Sequence, residues 1–591
     1  MNLTRIFTLR NLLILMVILL ITNLVVTLLR TPQNPGLASL ATSTQVISAE
    51  TGSENLAPTE QSNAGALTSP ELQKALTEDG VLILSMQDGE YFHLFAFHPL
   101  YLPVTRLTSG DWDDCFPAVS PDGTHLAFAS HRDGSWDIYT LNLVDNSIER
   151  LTNTLAYDNR PTWSPDGKWI AYESLVNDNL EIMLQSVEDP AQPVLQLTTD
   201  AAADYSAAWS PTGREIAFVS TRSGSEDIWI ASLDETTNRF SNLTDSPDQQ
   251  EKNPAWSPDG MHLAWANFDG QVTAMWIDDF TNLPKRIGEG TQAAWNSDGD
   301  QLAAVLSTPN HTYLAAYSVQ NFQLTMSNTL MWGDIRGIVW VKGELPAFIA
   351  NPANGFKTSE KPVLWQVEED AIPSPHEGRY TLVSIDNVEA PYALLHDQAD
   401  EAFEALSQAT SRAAGWDFLS SLENAYTPLT QPVSPGIQQD WLTTGRGIAL
   451  NPVSLYADWM AVVREDYYGS TYWRIYIKAR YQDGSQGIPI TQPVWDFQTR
   501  YNGSSKGYES GGACVCSPPG YWIDFTTLAN SFGWSRLPAE GNWRTYFAGA
   551  RFNHFVFMDN LTWYEAMIQL YPPEALDATG FEPYIFTTPQ P

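Results

Sequence analysis

Cysteine is nearly absent from this sequence, with 3 in 591 residues. Three thiols build neither a disulfide framework nor any of the usual multi-cysteine zinc sites. Basic residues are scarce too: 31 Lys and Arg stand against 69 Asp and Glu, a net charge of −38. A nucleic-acid binder presents a basic face to phosphate, so nucleic acid is excluded as a partner. Long apolar runs are missing except for one near the N-terminus. What the chain does have is aromatic residues (12%, including 22 Trp), 37 Gly and 38 Pro. That aromatic content argues against global disorder, and the length allows two to four domains with packed cores.

The single apolar run is Asn11 to Leu29, uncharged and flanked by Arg10 and Arg30. About 20 such residues at 1.5 Å rise cross a ~30 Å hydrocarbon core. The following Leu28-Leu29-Arg30-Thr31-Pro32 offers no small-x-small cleavage site. Residues 1–30 therefore read as an uncleaved signal anchor. Arg5, Arg10 and the amino group outnumber Arg30, which puts the N-terminus in the cytoplasm and the bulk of the chain outside. The expected location is the cell membrane, crossed once. Residues 31–79 turn to Ser, Thr, Ala, Pro, Gln and Asn and read as a flexible tether.

From residue 106 to about 300 the chain repeats. Ser-Pro-x-Gly stands at Ser120–Gly123, Ser164–Gly167, Ser210–Gly213 and Ser257–Gly260, with a decayed Asn296-Ser297-Asp298-Gly299 after them. The steps are 44, 46, 47 and 39 residues, a period that suits a four-stranded propeller blade. Trp163, Trp209, Trp256 and Trp295 precede the last four copies, with Val119 in that place in the first. Each copy is followed by a short apolar strand, then Asp-Ile-aromatic (Asp137-Ile138-Tyr139, Asp227-Ile228-Trp229), then Leu-Thr (Leu151-Thr152, Leu243-Thr244). Pro-Asp-Gly is turn chemistry: Pro presets φ and Gly accepts a positive one, closing a hairpin. The repeated Trp is expected to pack between blades, and the repeated Asp and Ser to serve structure, not catalysis.

Taken together, Leu-Thr, Trp-Ser-Pro-Asp-Gly, Ile-Ala-Phe and Asp-Ile-Trp resemble the β-propeller repeat of the TolB family, which also occurs in prolyl-oligopeptidase-type peptidases. The resemblance covers residues 80–350. It implies an extracytoplasmic propeller that binds proteins or peptides at one end of its channel. Six blades are expected. Val81–Leu84, Phe92–Phe95 and Val104–Leu107 read as three strands of a blade whose first strand is Ile338-Val339-Trp340-Val341. Such a closure leaves no open sheet edge. Residues 80–350 hold 36 acidic and 13 basic residues, so 23 of the 38 net negative charges lie here. A soluble acidic surface explains this without a cation funnel.

Residues 351–591 read as an α+β domain of no recognised family. A helix is expected over Asp400 to Ala414, with Phe403, Leu406, Thr410 and Ala413 inward and Gly415 as its stop. Thr562 and Glu565 match a capping box, and Trp563, Met567 and Leu570 line the face of the helix that follows. Ten Trp lie beyond residue 350. Exposed, they would stack on sugars, as for an envelope glycan; the expectation is that most fill a core.

Gly503-Ser504-Ser505-Lys506-Gly507 fits G-x-S-x-G, and Asp524 and His554 follow in α/β-hydrolase order. Its surroundings have loop composition, whereas that element needs a strand before it and a helix after it. Asp440, Glu465, Asp466, Asp496 and Asp524 are too ordinary to select an acid and a base. Cys514 and Cys516 suit a local disulfide better than a metal, and Cys115 suits a core. No catalytic, metal or cofactor residue and no cofactor is put forward. The leading expectation is a mainly β, membrane-anchored propeller protein acting as a binding or scaffold module of the cell envelope. The alternative is an envelope hydrolase of glycan or peptide with its chemistry after residue 350.

Overall fold

The computed structural model describes residues 80–100, 102–247, 249–268, 273–342, 364–365, 380–431, 437 and 439–578, all within one compact unit. The apolar run Asn11–Leu29 and the tether at 31–79 lie outside these residues. Among the described residues no helix is long and apolar enough to cross a membrane.

Residues 81–341 form six antiparallel four-stranded sheets. Blade 1 is composite. Its first strand, Ile335–Val341, comes from the end of the propeller sequence and pairs with Val81–Asp88, setting Leu82 against Trp340 and Leu84 against Ile338. Tyr91–His98 and Leu102–Arg106 complete it. Blades 2 to 6 run in order, their first strands being Asp114–Val119, Asp158–Trp163, Asp204–Trp209, Gln250–Trp256 and Ala293–Trp295. The expected strand closure is what the structure contains.

Each repeated residue has a visible task. Ser120 Oγ donates to Asp122 at 2.6 Å and accepts from the His125 amide at 2.9 Å, which ties the two ends of the turn. Gly123 there has φ of 72°, a conformation with little penalty only for glycine. The Trp163, Trp256 and Trp295 indoles donate to the carbonyls of Ala118, Ala208 and Ala255 on the preceding blade, at 2.9–3.1 Å. In these three copies the Trp is thus a hydrogen-bonded spacer as well as packing. Thr152 and Thr244 of Leu-Thr accept from the amides of Ile138 and Ile228 at 2.9 and 3.0 Å, fastening the outer strand to the third.

Beyond residue 380 the chain is mixed. Asp400–Ala414 is helical and stops at Gly415, whose φ is 77°. It buries Phe403, Leu406 and Thr410, but its inward row ends on Ala414, and Ala413 is only half buried. Thr562 and Glu565 form the capping box of the helix Trp563–Leu570, where Leu570 is half buried and Ala566 takes the inner place. One four-stranded sheet is ordered Met460–Tyr467, Ser470–Lys478, Tyr521–Asp524 and Ile488–Pro489. A second joins Leu422–Asn424, Gly447–Leu450, His554–Phe557 and Trp534–Arg536. Trp473, Trp522 and Trp534 are fully buried, while Trp459 is exposed. Full burial of one large aromatic side chain contributes about 1.5–3 kcal/mol, so this aromatic core is a principal stabiliser of the region.

Candidate functional site

The first strand of each blade lines the propeller channel. In blades 2 to 5 that strand carries a bulge at one repeat position, four residues before the Ser of the turn: Phe116, Arg160, Ser206 and Asn253. All four have positive φ, from 48° to 54°, and the sheet register shifts at each. A bulge re-aims one side chain away from the alternating pattern. Here the bulged residues, with Gln292 of blade 6, belong to the walls of two cavities at once. They form a ring between them. Arg160 Nη1 donates to Asn253 Oδ1 at 3.0 Å across that ring, and its guanidinium lies 4.0 Å from the centre of the Phe116 ring.

On one side of the ring is a channel cavity of about 120 Å³ that includes Pro117, Pro161, Pro254 and Ile338. On the other side is a chamber of about 420 Å³ roofed by the region after residue 380. That region caps one end of the propeller. Its contacts fall on loops and strand ends at a single end: Arg412 on Glu90, the Gly487 carbonyl on Trp136 at 3.0 Å, Tyr521 on Tyr157, Tyr468 on Glu289 at 2.7 Å, and Arg536 on Pro309. All of these loops precede a first strand or join the second and third strands of a blade. The Ser-Pro-x-Gly turns join first to second strands, so they mark the opposite end.

The cap is clamped by charge. Asp334 of the propeller accepts from Thr527 Oγ1 at 2.7 Å and pairs with Arg474 at 3.4 Å. Arg474 also pairs with Asp524 at 2.8 Å and Glu465 at 3.4 Å, and Arg536 with Glu465 at 2.7 Å. Burial pushes the Glu465 carboxyl up, but Arg536 and Arg474 outweigh it and hold it below the usual range. Burial acts likewise on Asp524, and Arg474 and Arg336 overcome it. Both stay ionised.

The structure brings together some of the sequence candidates and separates others. Glu465, Asp466 and Asp524 reach the chamber. Asp440 and Asp496 instead cap short 3-10 turns, accepting from Leu442 at 3.0 Å and Gln498 at 2.7 Å. Ser504 caps the six-residue helix Ser505–Ser510, which follows a 3-10 turn and not a strand. His554 opens a sheet strand, and burial with Arg551 lowers its pKa to about 3. Among the described residues no hydrogen bond joins Ser505, His554 and Asp524. Cys514 and Cys516 are exposed free thiols and Cys115 is buried; no cluster of three or more His, Cys, Asp or Glu among the described residues could hold a metal ion.

The ring residues escaped the sequence reading because Phe, Arg, Ser and Asn share no chemistry. The available signal was positional: a fixed offset from the turn, with Pro next in three of the four copies.

Residues 107–189, from the end of blade 1 to the third strand of blade 3, match the family model of the TolB beta propeller domain. The propeller is TolB-like. Over 90 residues the chain is 34% identical to the Tol-Pal system protein TolB of Francisella tularensis, spanning 15% of this chain and only 18% of that relative. An uncharacterized protein of Agrobacterium fabrum is 29% identical over 128 residues, 21% of this chain and 42% of that one. Among solved structures, TolB from Acinetobacter baumannii aligns with a TM-score of 0.41 at 21% identity, over 45% of this chain and 67% of that one. A putative TolB from Agrobacterium tumefaciens aligns at 0.34 and 16%, over 45% and 92%. The family match ends before the cap begins.

Proposed function

We propose that this protein is a binding module of the cell envelope, held at the membrane by Asn11–Leu29 with its bulk outside the cell. Its TolB-like propeller and cap together take up a segment of a protein partner. The observation that carries this reading is the chamber between channel and cap. It is walled by apolar side chains such as Phe92, Phe116 and Ile490 and by polar ones such as Gln250, Ser307 and Asn530, the mixture a peptide requires. The chain's likeness to proteins named for the Tol-Pal system supports an envelope setting.

Two of the chamber's carboxyls, Glu465 and Asp524, are unsuited to act as the general acid of glycoside hydrolysis, which favours the binding reading. A general acid must hold its proton near neutral pH, which calls for a raised carboxyl pKa. Glu465 and Asp524 are pushed the opposite way by their arginines.

Filling the chamber tests this. Ser307 lines it and is half buried. Ser307→Trp in the full chain should keep the melting temperature within a few degrees yet remove the partner recovered by affinity capture from the native envelope. Equal recovery by Ser307→Trp and the wild type would count against the chamber.

A further inference from the structure

We infer that the chamber accepts an extended peptide, bearing an acidic side chain, that adds as a short fifth strand beside Arg464–Tyr467, the open end of the edge strand Met460–Tyr467. The inference rests on the binding reading above and names the form the partner takes.

Met460–Tyr467 stands at the end of its sheet and, among the described residues, pairs only with Ser470–Lys478. Which backbone groups face outward follows from three bonds. The Ile475 amide donates to Thr526 Oγ1 at 2.8 Å and the Thr471 carbonyl accepts from Ala539 at 2.8 Å, both pointing away from Met460–Tyr467. The Lys478 amide points toward it, donating to the Trp459 carbonyl at 2.9 Å. In an antiparallel pair the residues that turn their amides away from the partner strand alternate with those that bond across it. Opposite Thr471, Trp473 and Ile475 lie Asp466, Arg464 and Val462, so these three turn their N–H and C=O to the outer edge; Val462 is fully buried there, where Val494 packs on Ala461 and Val463, and Arg464 and Asp466 are the two left half-buried. None of these backbone groups bonds to any described residue.

That edge borders the chamber. Five consecutive residues, Val463 to Tyr467, line it; a strand seen face-on would contribute only alternate ones. An unpaired sheet edge is a template for another strand. Here the propeller stands over it, so bulk aggregation is hindered while a single threaded segment is admitted.

Charge specifies the segment further. The propeller side of the chamber presents Arg160, Lys252 and Arg336. Lys252 is engaged by Glu226 at 3.2 Å. Arg336 lies over Phe92 at 4.0 Å, with Asp113 3.8 Å off, beyond hydrogen-bond reach, and with the Cys115 thiol and Asp524 also acting on it. Its guanidinium has donors left for an incoming carboxylate, in a chain otherwise strongly acidic.

The test uses the full chain in nanodiscs and peptides selected on it from a random dodecapeptide library. The expected result is that selected peptides are enriched in Asp or Glu and slow amide exchange at Arg464 and Asp466 at least tenfold. N-methylating one alternate set of peptide amides should weaken binding tenfold or more, and the other set less than about twofold. Arg336→Gln should weaken binding about tenfold; should that variant misfold, the methylation pattern decides alone. Peptides that bind without protecting Arg464 and Asp466, or that tolerate both methylation sets, would overturn strand addition and leave the binding reading in place. Recovery of no binding peptide would overturn both.

Discussion

Arg160 and Asn253 join blade 3 to blade 5 across the propeller channel, Nη1 to Oδ1 at 3.0 Å. The same guanidinium stands 3.7 Å from Glu173, a buried carboxylate that also accepts from the Ser206 amide at 2.9 Å. One side chain thus bars the channel and compensates a buried charge.

Removing Arg160 should therefore cost more at neutral than at acid pH. Burial already pushes the Glu173 carboxyl up, and Arg160 opposes it. Without the arginine, Glu173 would be a buried anion with a single amide donor. Breaking a buried pair typically costs 3–5 kcal/mol; Arg160 is partly exposed, so about 1–3 kcal/mol is expected for Arg160→Met at pH 7. Urea unfolding at pH 4, where Glu173 protonates, should show a smaller loss, and Arg160→Met with Glu173→Gln should recover stability at pH 7. A pH-independent loss would assign Arg160 to packing alone.

Glu251 gives the propeller a pH dependence of definite sign. Burial, with Asp227 nearby, pushes its carboxyl up to about 8. A raised carboxyl pKa means that the stability it contributes is fully present below about 4.5 and is lost as pH rises through about 8. Glu251→Gln should melt higher than the wild type at pH 8.5, by about 2–4 °C for each kcal/mol recovered. At pH 4.5 the two should melt together. Calorimetry at both pH values checks this; a constant offset would contradict it.

The repeated tryptophans are not equivalent. Trp163 donates to Ala118 at 3.1 Å, whereas the buried indole N–H of Trp209 has no hydrogen-bond partner among the described residues. Trp163→Phe should cost about 1 kcal/mol more than Trp209→Phe, the net value of one hydrogen bond. Denaturant titration of the two variants reads the difference, and equal costs would show that packing alone sets the role.

The repeat made the blades legible, because Pro-x-Gly, Trp and Leu-Thr each solve a local problem that recurs in every copy. The composite blade was legible as well, since Val81–Leu107 shows strands without a turn motif. Asp400–Ala414 and the Thr562 cap rested on local periodicity and capping chemistry. The chamber was not legible. Arg474 meets Asp334, and Arg536 meets Pro309, across 140 and 227 positions of sequence, and no local pattern encodes such meetings. The free edge of Met460–Tyr467 likewise depends on which strand fails to pair.

Ring closure and anchorage can be separated by deletion. Removing residues 80–108 takes three strands from blade 1 and exposes sheet edges, so aggregation is expected. Removing residues 31–70 should leave the melting unchanged and the protein in the membrane fraction. A soluble form of the wild type beginning between residues 31 and 45 would show that Asn11–Leu29 is cleaved.

The most direct measurement of the central claim is photo-crosslinking in living cells. A photoreactive residue is placed at Gln250, which lines the chamber, and separately at Leu324, which is 53% exposed on the outer strand of blade 6. Position 250 should yield a discrete protein adduct that Ser307→Trp abolishes, and position 324 should not. Adducts from Leu324 with none from Gln250 would contradict a partner held between propeller and cap.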